Sequence, residues 1–180
     1  MAANHQELND KNSRLAELEV ISGSSAILHF AGRHIPAAIG RSGVHADKHE
    51  GDGSTPSGLL PLRRVLYRSD RLDPPNTSLT CEPLIENDGW CDDAAHPDYN
   101  HQIRLPHPGS HERLWLENHL YDIIGILGYN DDPIIAGRGS AIFLHIAHPD
   151  MRPTDGCIAL SSDDLRWVLE QGLQVIFVPN

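Results

Sequence analysis

The feature that most constrains this chain is a strand–loop–strand pattern that ends in a lone cysteine. The apolar run Ala141–Leu144 leads into His145, which predicts a buried strand whose last side chain emerges at the mouth of a pocket. Pro149 and Pro153 follow, and neither can continue the strand because proline has no amide hydrogen to donate to a sheet. The chain must therefore turn back before it reaches Cys157 and a second apolar run.

His145 and Cys157 are 12 residues apart (157 − 145), so a returning loop could bring the imidazole to the thiol. A free cysteine has a pKa of about 8.5, and only a few per cent of it is thiolate at neutral pH. Lowering that pKa by about 1.5 units requires about 2 kcal/mol, which a nearby imidazole can supply. Gly156 permits a close backbone approach, so the amides of Gly156 and Cys157 could point at an oxyanion. The alternative is a small buried thiol and an ordinary histidine at a strand end.

The same segment resembles the signature of YkuD-type L,D-transpeptidase domains, a histidine on a strand, a variable loop and then Ser/Thr-His-Gly-Cys. On that pattern Cys157 matches the nucleophile, His145 the base, Gly156 the glycine and Thr154 the Ser/Thr. The resemblance therefore implies thiol chemistry at Cys157.

Other parts of the chain extend and qualify this resemblance. Thr55–Gly58 is similar to the Thr-Pro-x-Gly that these domains carry ahead of a strand, within a Gly- and Ser-rich segment that is predicted to be structural. The loop before the cysteine is shorter than usual, Asp155 stands where the family commonly has histidine, and Ala159 stands where a polar residue often follows. These departures concern the donor or acceptor specificity rather than the thiol chemistry.

The resemblance implies a mainly β fold, a YkuD-like β-sandwich or curved mixed sheet with one capping helix near the C-terminus. It also implies an enzyme that cross-links peptidoglycan stem peptides without a metal or cofactor, through a Cys157 thioester and the side-chain amine of a diaminopimelate residue. Most members form 3→3 links, and the altered Asp155 and Ala159 favour the 1→3 link of divergent members. Water in place of the amine would give an L,D-carboxypeptidase or amidase.

Substrate-binding residues are expected around the loop that precedes Cys157. Arg138 lies one short loop upstream of His145 and could hold a substrate carboxylate, although it could equally be a solvated loop arginine. Tyr129 and Asn130 follow the preceding predicted strand and could line the same mouth. The remaining predicted contacts are Ser140, Thr154 and Asp155.

The rest of the chain predicts one β-rich domain at residues 15–180 after a polar arm at residues 1–14. Ser161 and Asp164 resemble a capping box, so a helix should follow and end near Gly172. Further strands are predicted at Leu18–Ile21, Ala26–Phe30, His34–Ile39, Leu59–Tyr67, Leu120–Gly128 and Leu173–Val178.

A long irregular insertion at residues 83–119 gives the main rival interpretation. His107 and His111, with Asp92–Asp93 upstream, could ligate zinc and make the protein a metallohydrolase. The Pro-Gly pair between the two histidines disfavours a helix that would place both on one face, so no metal is expected. A loop of this length is usually functional, and we predict a lid. A non-catalytic wall-binding module is a further alternative.

Charge and cysteine content limit the other classes. A net charge of −11 argues against nucleic acid and anionic membranes as partners, and an acidic chain needs local cations to bind acidic stem peptides. Cys81 and Cys91 could pair in an oxidising compartment, which we favour, or all three cysteines could be reduced. The sequence contains neither a secretory signal nor an apolar run that could span a membrane, although the resemblance implies work in the periplasm or cell envelope. It does not indicate an oligomeric state.

Overall fold

Short strands account for most of the ordered structure in the computed structural model, which describes residues 14–180. The strands are β1 (Leu15–Ser22), β2 (Ser25–Phe30), β3 (Arg33–Ala38), β4 (Val44–His45), β5 (Thr55–Pro56), β6 (Gly58–Tyr67), β7 (Cys81–Pro83), β8 (Asp88–Cys91), β9 (Gln102–Arg104), β10 (His111–Arg113), β11 (Ile123–Leu127), β12 (Phe143–Ile146), β13 (Ile158–Leu160) and β14 (Val175–Val178). A helix, α1 (Ser162–Glu170), lies between the last two strands. The predicted arm at residues 1–14 lies, except for its last residue, outside the described part of the chain.

Nine of these strands form one sheet in the order β11-β12-β13-β3-β2-β1-β14-β6-β7. The sheet is strongly curved, because β6, the eighth strand in this order, also pairs with β11, the first. The pairs β1–β14, β12–β13 and β6–β7 are parallel and the others are antiparallel, so the sheet is mixed. The predicted mainly β fold with a curved mixed sheet is confirmed.

The predicted capping helix is present and begins as expected. The Ser161 hydroxyl oxygen accepts the amide of Asp164 at 3.1 Å, which satisfies one of the free amides of the first turn. Gly172 follows the helix with a φ of +85°, a conformation that glycine adopts without strain. The helix packs its apolar stripe against the sheet, through Leu165, Val168 and Leu169.

Side-chain alternation along β12 separates two apolar clusters. Leu144 belongs to the larger cluster, which α1 covers, whereas Phe143 belongs to the smaller cluster on the other side. His145 lies two residues after Phe143 and therefore points to the same side as Phe143. Cys157 also belongs to the smaller cluster, together with Trp90. Both residues of the predicted catalytic pair thus face the side of the sheet away from α1.

The insertion at residues 83–119 is less irregular than predicted, because it contains a three-stranded sheet in the order β10-β8-β9. Its strands have only three or four residues, too few to give a visible alternation in the sequence. Trp90 attaches this small sheet to the main one, since its ring meets Phe143 edge to face with centroids 5.1 Å apart. Asp88 is buried and accepts the amide of Ile85 at 2.8 Å, which holds the turn into β8.

Cys81 and Cys91 are free thiols in the structure. Cys81 lies in β7 of the large sheet and Cys91 in β8 of the small sheet, so the favoured pairing is not formed. Within residues 14–180, no helix has the length and apolar character needed to cross a membrane.

Candidate active site

His145 and Cys157 line the same cavity, which has a volume of about 560 Å³. The parallel pairing of β12 and β13 sets His145 opposite Ala159, and Cys157 comes two residues before Ala159 on the same face. The two side chains are only 7% and 8% exposed. The structure therefore places both predicted residues in one largely desolvated cavity.

Backbone groups orient both side chains. The Cys157 sulfur accepts the amide of Phe143 at 3.4 Å and donates to the carbonyl of Ala141 at 3.3 Å. His145 Nδ1 lies 2.9 Å from the carbonyl of Ile146, and because a carbonyl only accepts, Nδ1 carries the hydrogen. Nε2 is then the unprotonated nitrogen, as a general base requires. Within the described residues, no hydrogen bond joins the ring to the sulfur in this conformation.

Burial keeps both groups neutral at rest. It lowers the pKa of His145 to about 4, and it raises the pKa of Cys157 to about 12, an effect to which the Glu112 charge adds. This differs from the sequence-based expectation that a nearby imidazole lowers the thiol pKa. The reason is that neither group has an opposite charge close enough to offset the loss of water. A thiolate would therefore form as the proton moves to His145 during attack.

The turn that carries Cys157 is held internally by Thr154. The Thr154 hydroxyl donates to the Cys157 carbonyl at 2.7 Å and accepts the Gly156 amide at 3.2 Å. Gly156 has a φ of +138°, and a Cβ there would lie 2.7 Å from the Ser54 carbonyl, so glycine is required. The Gly156 amide, one of the two predicted oxyanion donors, thus points to Thr154 in this conformation.

A second loop, at residues 40–58, braces this turn and supplies a cation that the sequence analysis missed. The Thr55 hydroxyl accepts the Gly40 amide and donates to the Gly156 carbonyl, both at 2.9 Å. Lys48 is 2% exposed, lines the cavity and donates to Asp52 at 2.7 Å. No local signal in the sequence marks Lys48, because its position beside Gly156 depends on how the two loops pack.

Carboxylates from three segments also line the cavity, and no sequence pattern predicts any of them there. Glu50 accepts the Ser140 hydroxyl at 2.7 Å. Glu112 accepts the hydroxyl of Tyr121, whose ring meets His145 edge to face at 5.2 Å. Asp92 Oδ1 is buried and has no hydrogen-bond partner among the described residues. The cavity wall therefore carries three carboxyl groups besides the predicted residues.

The predicted substrate contacts divide into two groups. Ser140, Thr154 and Asp155 line the cavity. Arg138, Tyr129 and Asn130 are not among its lining residues.

The second group stabilises the loop that leads to β12. Arg138 is exposed and lies 3.4 Å from Asp47. The Tyr129 hydroxyl donates to the Arg138 carbonyl at 2.8 Å, and the Asn130 amide donates to the Gly139 carbonyl at 2.9 Å. The exposed cation at the cavity is instead Arg152.

The predicted zinc ligands do not come together as a set. The rings of His107 and His111 have centroids 6.2 Å apart, and His111 and Asp92 line the cavity. His107 lies instead against His96, with centroids 4.5 Å apart. In the described part of the chain, the residues that could hold a metal ion are Cys91, His96 and His107.

Comparison with known proteins identifies the family to which this chain belongs. A family model described as the L,D-transpeptidase catalytic domain, YkuD, matches residues 6–175. L,D-transpeptidase 1 of Mycobacterium tuberculosis aligns with 92% of this chain and 60% of its own, at 16% identity and a TM-score of 0.37. This chain thus spans less than two thirds of that protein, and no curated protein matches. Since the family model covers almost the whole sequence, the chain belongs to the YkuD L,D-transpeptidase catalytic domain family.

Proposed function

We propose that this protein is a cysteine L,D-transpeptidase that cross-links peptidoglycan stem peptides through a thioester on Cys157. The observation that carries the proposal is the shared cavity, which is lined by the Cys157 thiol and a neutral His145 with its Nε2 lone pair free. A nucleophile beside an oriented neutral base is the arrangement that acyl transfer needs. Family membership supplies the reaction class.

Acylation begins when His145 Nε2 takes the proton from Cys157 as the sulfur attacks the carbonyl of an L-centre in the donor stem. The amides of Gly156 and Cys157 hold the oxyanion, which requires the Gly156 amide to leave Thr154. His145 then gives its proton to the leaving amine, and the thioester remains.

Deacylation reverses these roles. The side-chain amine of a diaminopimelate residue attacks the thioester and loses a proton to His145. The C–S bond breaks, and the thiol leaves with the proton that His145 returns. Water in place of the amine would release a free carboxylate, so hydrolysis by the same thiol is the second candidate activity.

The charges of the cavity fit a substrate that carries both carboxylates and amines. Lys48 and Arg152 can bind stem carboxylates, and Arg152 is exposed at the rim while Lys48 lies inside. Asp92 and Glu112 lie on the wall from the insertion, where they can bind the ammonium of the acceptor before it is deprotonated. The unpartnered Asp92 oxygen supports this assignment, because a buried carboxylate oxygen costs free energy unless something binds it.

We also propose that the enzyme forms 1→3 links and works in the cell envelope. Asp155 occupies the position before Gly156 that is commonly histidine in the family, and it pairs with Arg41 at the cavity rim. Ala159 lies opposite His145 in the sheet and adds no polar group to the cavity wall there. Incubation of purified sacculi with the protein should yield 1→3 dimers in muropeptide analysis. Dimers with only 3→3 links would overturn the linkage and leave the thiol chemistry intact.

The thiol mechanism is tested by intact and peptide mass spectrometry after incubation with a carbapenem. We expect one adduct, on Cys157, which disappears in Cys157→Ala and forms much more slowly in His145→Ala. Cys81→Ser is the matched control, because it removes another free thiol and should leave the adduct unchanged. Cleavage of sacculi that persists in Cys157→Ala but stops with a chelator would indicate a metallohydrolase. Equal sacculus binding without any turnover would indicate a wall-binding module.

A further inference from the structure

The insertion brings one thiol and two imidazoles together at a place that the transpeptidase reaction does not use. Cys91, His96 and His107 each present a ligand atom, and these atoms all lie within 4.8 Å of one another. Cys91 is fully buried, and the His107 side chain is only 8% exposed. None of the three lines the cavity that contains Cys157. We propose that Cys91, His96 and His107 bind a structural zinc ion.

The spacing of the ligand atoms is close to what zinc requires. With Zn–S near 2.3 Å and Zn–N near 2.0–2.1 Å, tetrahedral geometry puts neighbouring ligand atoms roughly 3.3–3.8 Å apart. The observed group therefore needs a contraction of about 1.5 Å at most, which side-chain rotation can supply. Thiolate with imidazole is a ligand set that favours zinc over magnesium or calcium.

Asp98 completes the site as the fourth ligand. Its Oδ2 lies 3.2 Å from His107 Nε2 and 3.6 Å from His96 Nδ1, but Asp98 is not within 4.8 Å of all three ligand atoms, so its exposed side chain must move toward Cys91 to bind the metal. His107 Nδ1 contacts the Gly109 backbone, with the amide nitrogen 3.1 Å and the carbonyl oxygen 3.5 Å away, and this contact fixes the orientation of the ring with Nε2 toward Asp98. Four protein ligands leave no open position for water, as in structural rather than catalytic zinc sites.

The position of the site in the fold gives zinc a structural role. Cys91 ends β8, His96 and Asp98 lie in the turn after it, and His107 lies between β9 and β10. The three strands have only three or four residues each, so the small sheet buries little apolar surface of its own. A metal that joins these segments would stabilise the wall that carries Asp92 and Glu112. Binding replaces the S–H bond of Cys91 with an S–Zn bond and releases one proton.

Metal content and Co²⁺ spectroscopy on the full chain test the proposal. We expect about one zinc per chain by elemental analysis, and the Co²⁺-substituted protein should have a thiolate-to-cobalt charge-transfer band and the intense d–d bands of tetrahedral coordination. Both should persist in a Cys81→Ser/Cys157→Ala variant, which leaves Cys91 as the sole cysteine. Cys91→Ser should lose the charge-transfer band, and His107→Ala should bind at least tenfold less zinc.

Two results would overturn the site, and neither depends on enzyme activity. One is the absence of a charge-transfer band when the intact protein is titrated with Co²⁺, a measurement that remains decisive where Cys91→Ser fails to fold. The other is a band that is present in Cys91→Ser. Because the charge-transfer band is also measured in the Cys81→Ser/Cys157→Ala variant, which lacks Cys157, the result does not depend on the outcome for the transpeptidase mechanism.

Discussion

The hydroxyl of Thr55 donates to the carbonyl of Gly156 at 2.9 Å, across 101 residues of sequence. The same oxygen accepts the Gly40 amide, and Thr55 is completely buried. One side chain thus joins the glycine-rich loop to the turn that presents Cys157. Thr55 thereby helps to determine the position of the nucleophile without itself contributing an atom to the proposed reaction.

Replacing Thr55 with valine should lower both stability and activity. The change keeps the side-chain shape but leaves a buried amide and a buried carbonyl without a partner, which costs about 1–3 kcal/mol for each group. We expect a lower melting temperature and a kcat reduced at least tenfold, because the turn at Gly156 loses its brace. Thr55→Ser keeps the hydroxyl and should retain most of both. Wild-type kcat in a destabilised Thr55→Val protein would show that the brace serves stability alone.

The neutral resting pair predicts the pH dependence of acylation. Because the pKa of His145 is lowered to about 4, the base is already unprotonated at pH 6, so the acylation rate should fall only when the pH is lowered below 6. The pKa of Cys157, raised to about 12, adds no ionisation between pH 6 and 8. Carbapenem acylation rates should therefore be nearly constant across that interval. A resting thiolate–imidazolium pair would instead give a rate that falls as the imidazolium loses its proton.

The shifted pKa values of His145 and Cys157 predict that the free energy of unfolding is highest between about pH 6.5 and 9. Unfolded His145 binds a proton below its ordinary pKa of 6.5 while the folded ring stays neutral down to about 4, so stability falls with decreasing pH in that window. Unfolded Cys157 ionises above 9.0 while the folded thiol stays protonated, so stability also falls with increasing pH above 9. Each pH unit within either window costs up to about 1.4 kcal/mol. Urea unfolding of His145→Gln should show a weaker acid dependence than the wild type.

Glu112 raises the pKa of Cys157 in addition to burial, so removing its charge should make the thiol easier to ionise. We expect Glu112→Gln to be alkylated several-fold faster than the wild type at pH 9, as measured by iodoacetamide labelling of Cys157. Glu117→Gln is the matched control, because Glu117 is exposed and does not line the cavity. An unchanged labelling rate in Glu112→Gln would mean that burial alone sets the thiol pKa.

The sequence predicts Arg138 as the arginine that binds substrate, whereas the structure places Arg152 at the cavity. Arg152 lines the cavity, so Arg152→Ala should raise KM for a stem-peptide donor about tenfold and change kcat little. Arg138 pairs with Asp47 on the surface, so Arg138→Ala should leave KM within about twofold of the wild type. Steady-state kinetics on the two variants gives the comparison directly. The reverse order of effects would restore the original assignment of Arg138.

Sequence patterns alone determined the strands, the helix start and the motif residues. Alternating apolar residues predict β1, β2 and β3, and the Ser161–Asp164 spacing predicts the start of α1. These features depend on interactions between residues close together in the chain, which a local pattern can record. The family signature around His145 and Cys157 is equally local, because β12, one loop and β13 contain all of it.

Only the tertiary structure decided which distant side chains meet these residues. Lys48 and Glu112 reach the cavity because the sheet closes and the insertion packs over β12, whereas Arg138 is directed to Asp47 instead. His107 meets His96 and Cys91 because β8 and β9 pair, although the sequence pattern suggested His111 as its partner. Such contacts depend on strand pairing across tens of residues, and residue spacing along the chain does not encode that pairing. Burial by this packing, rather than the identity of the motif, is also what makes the thiol and imidazole neutral.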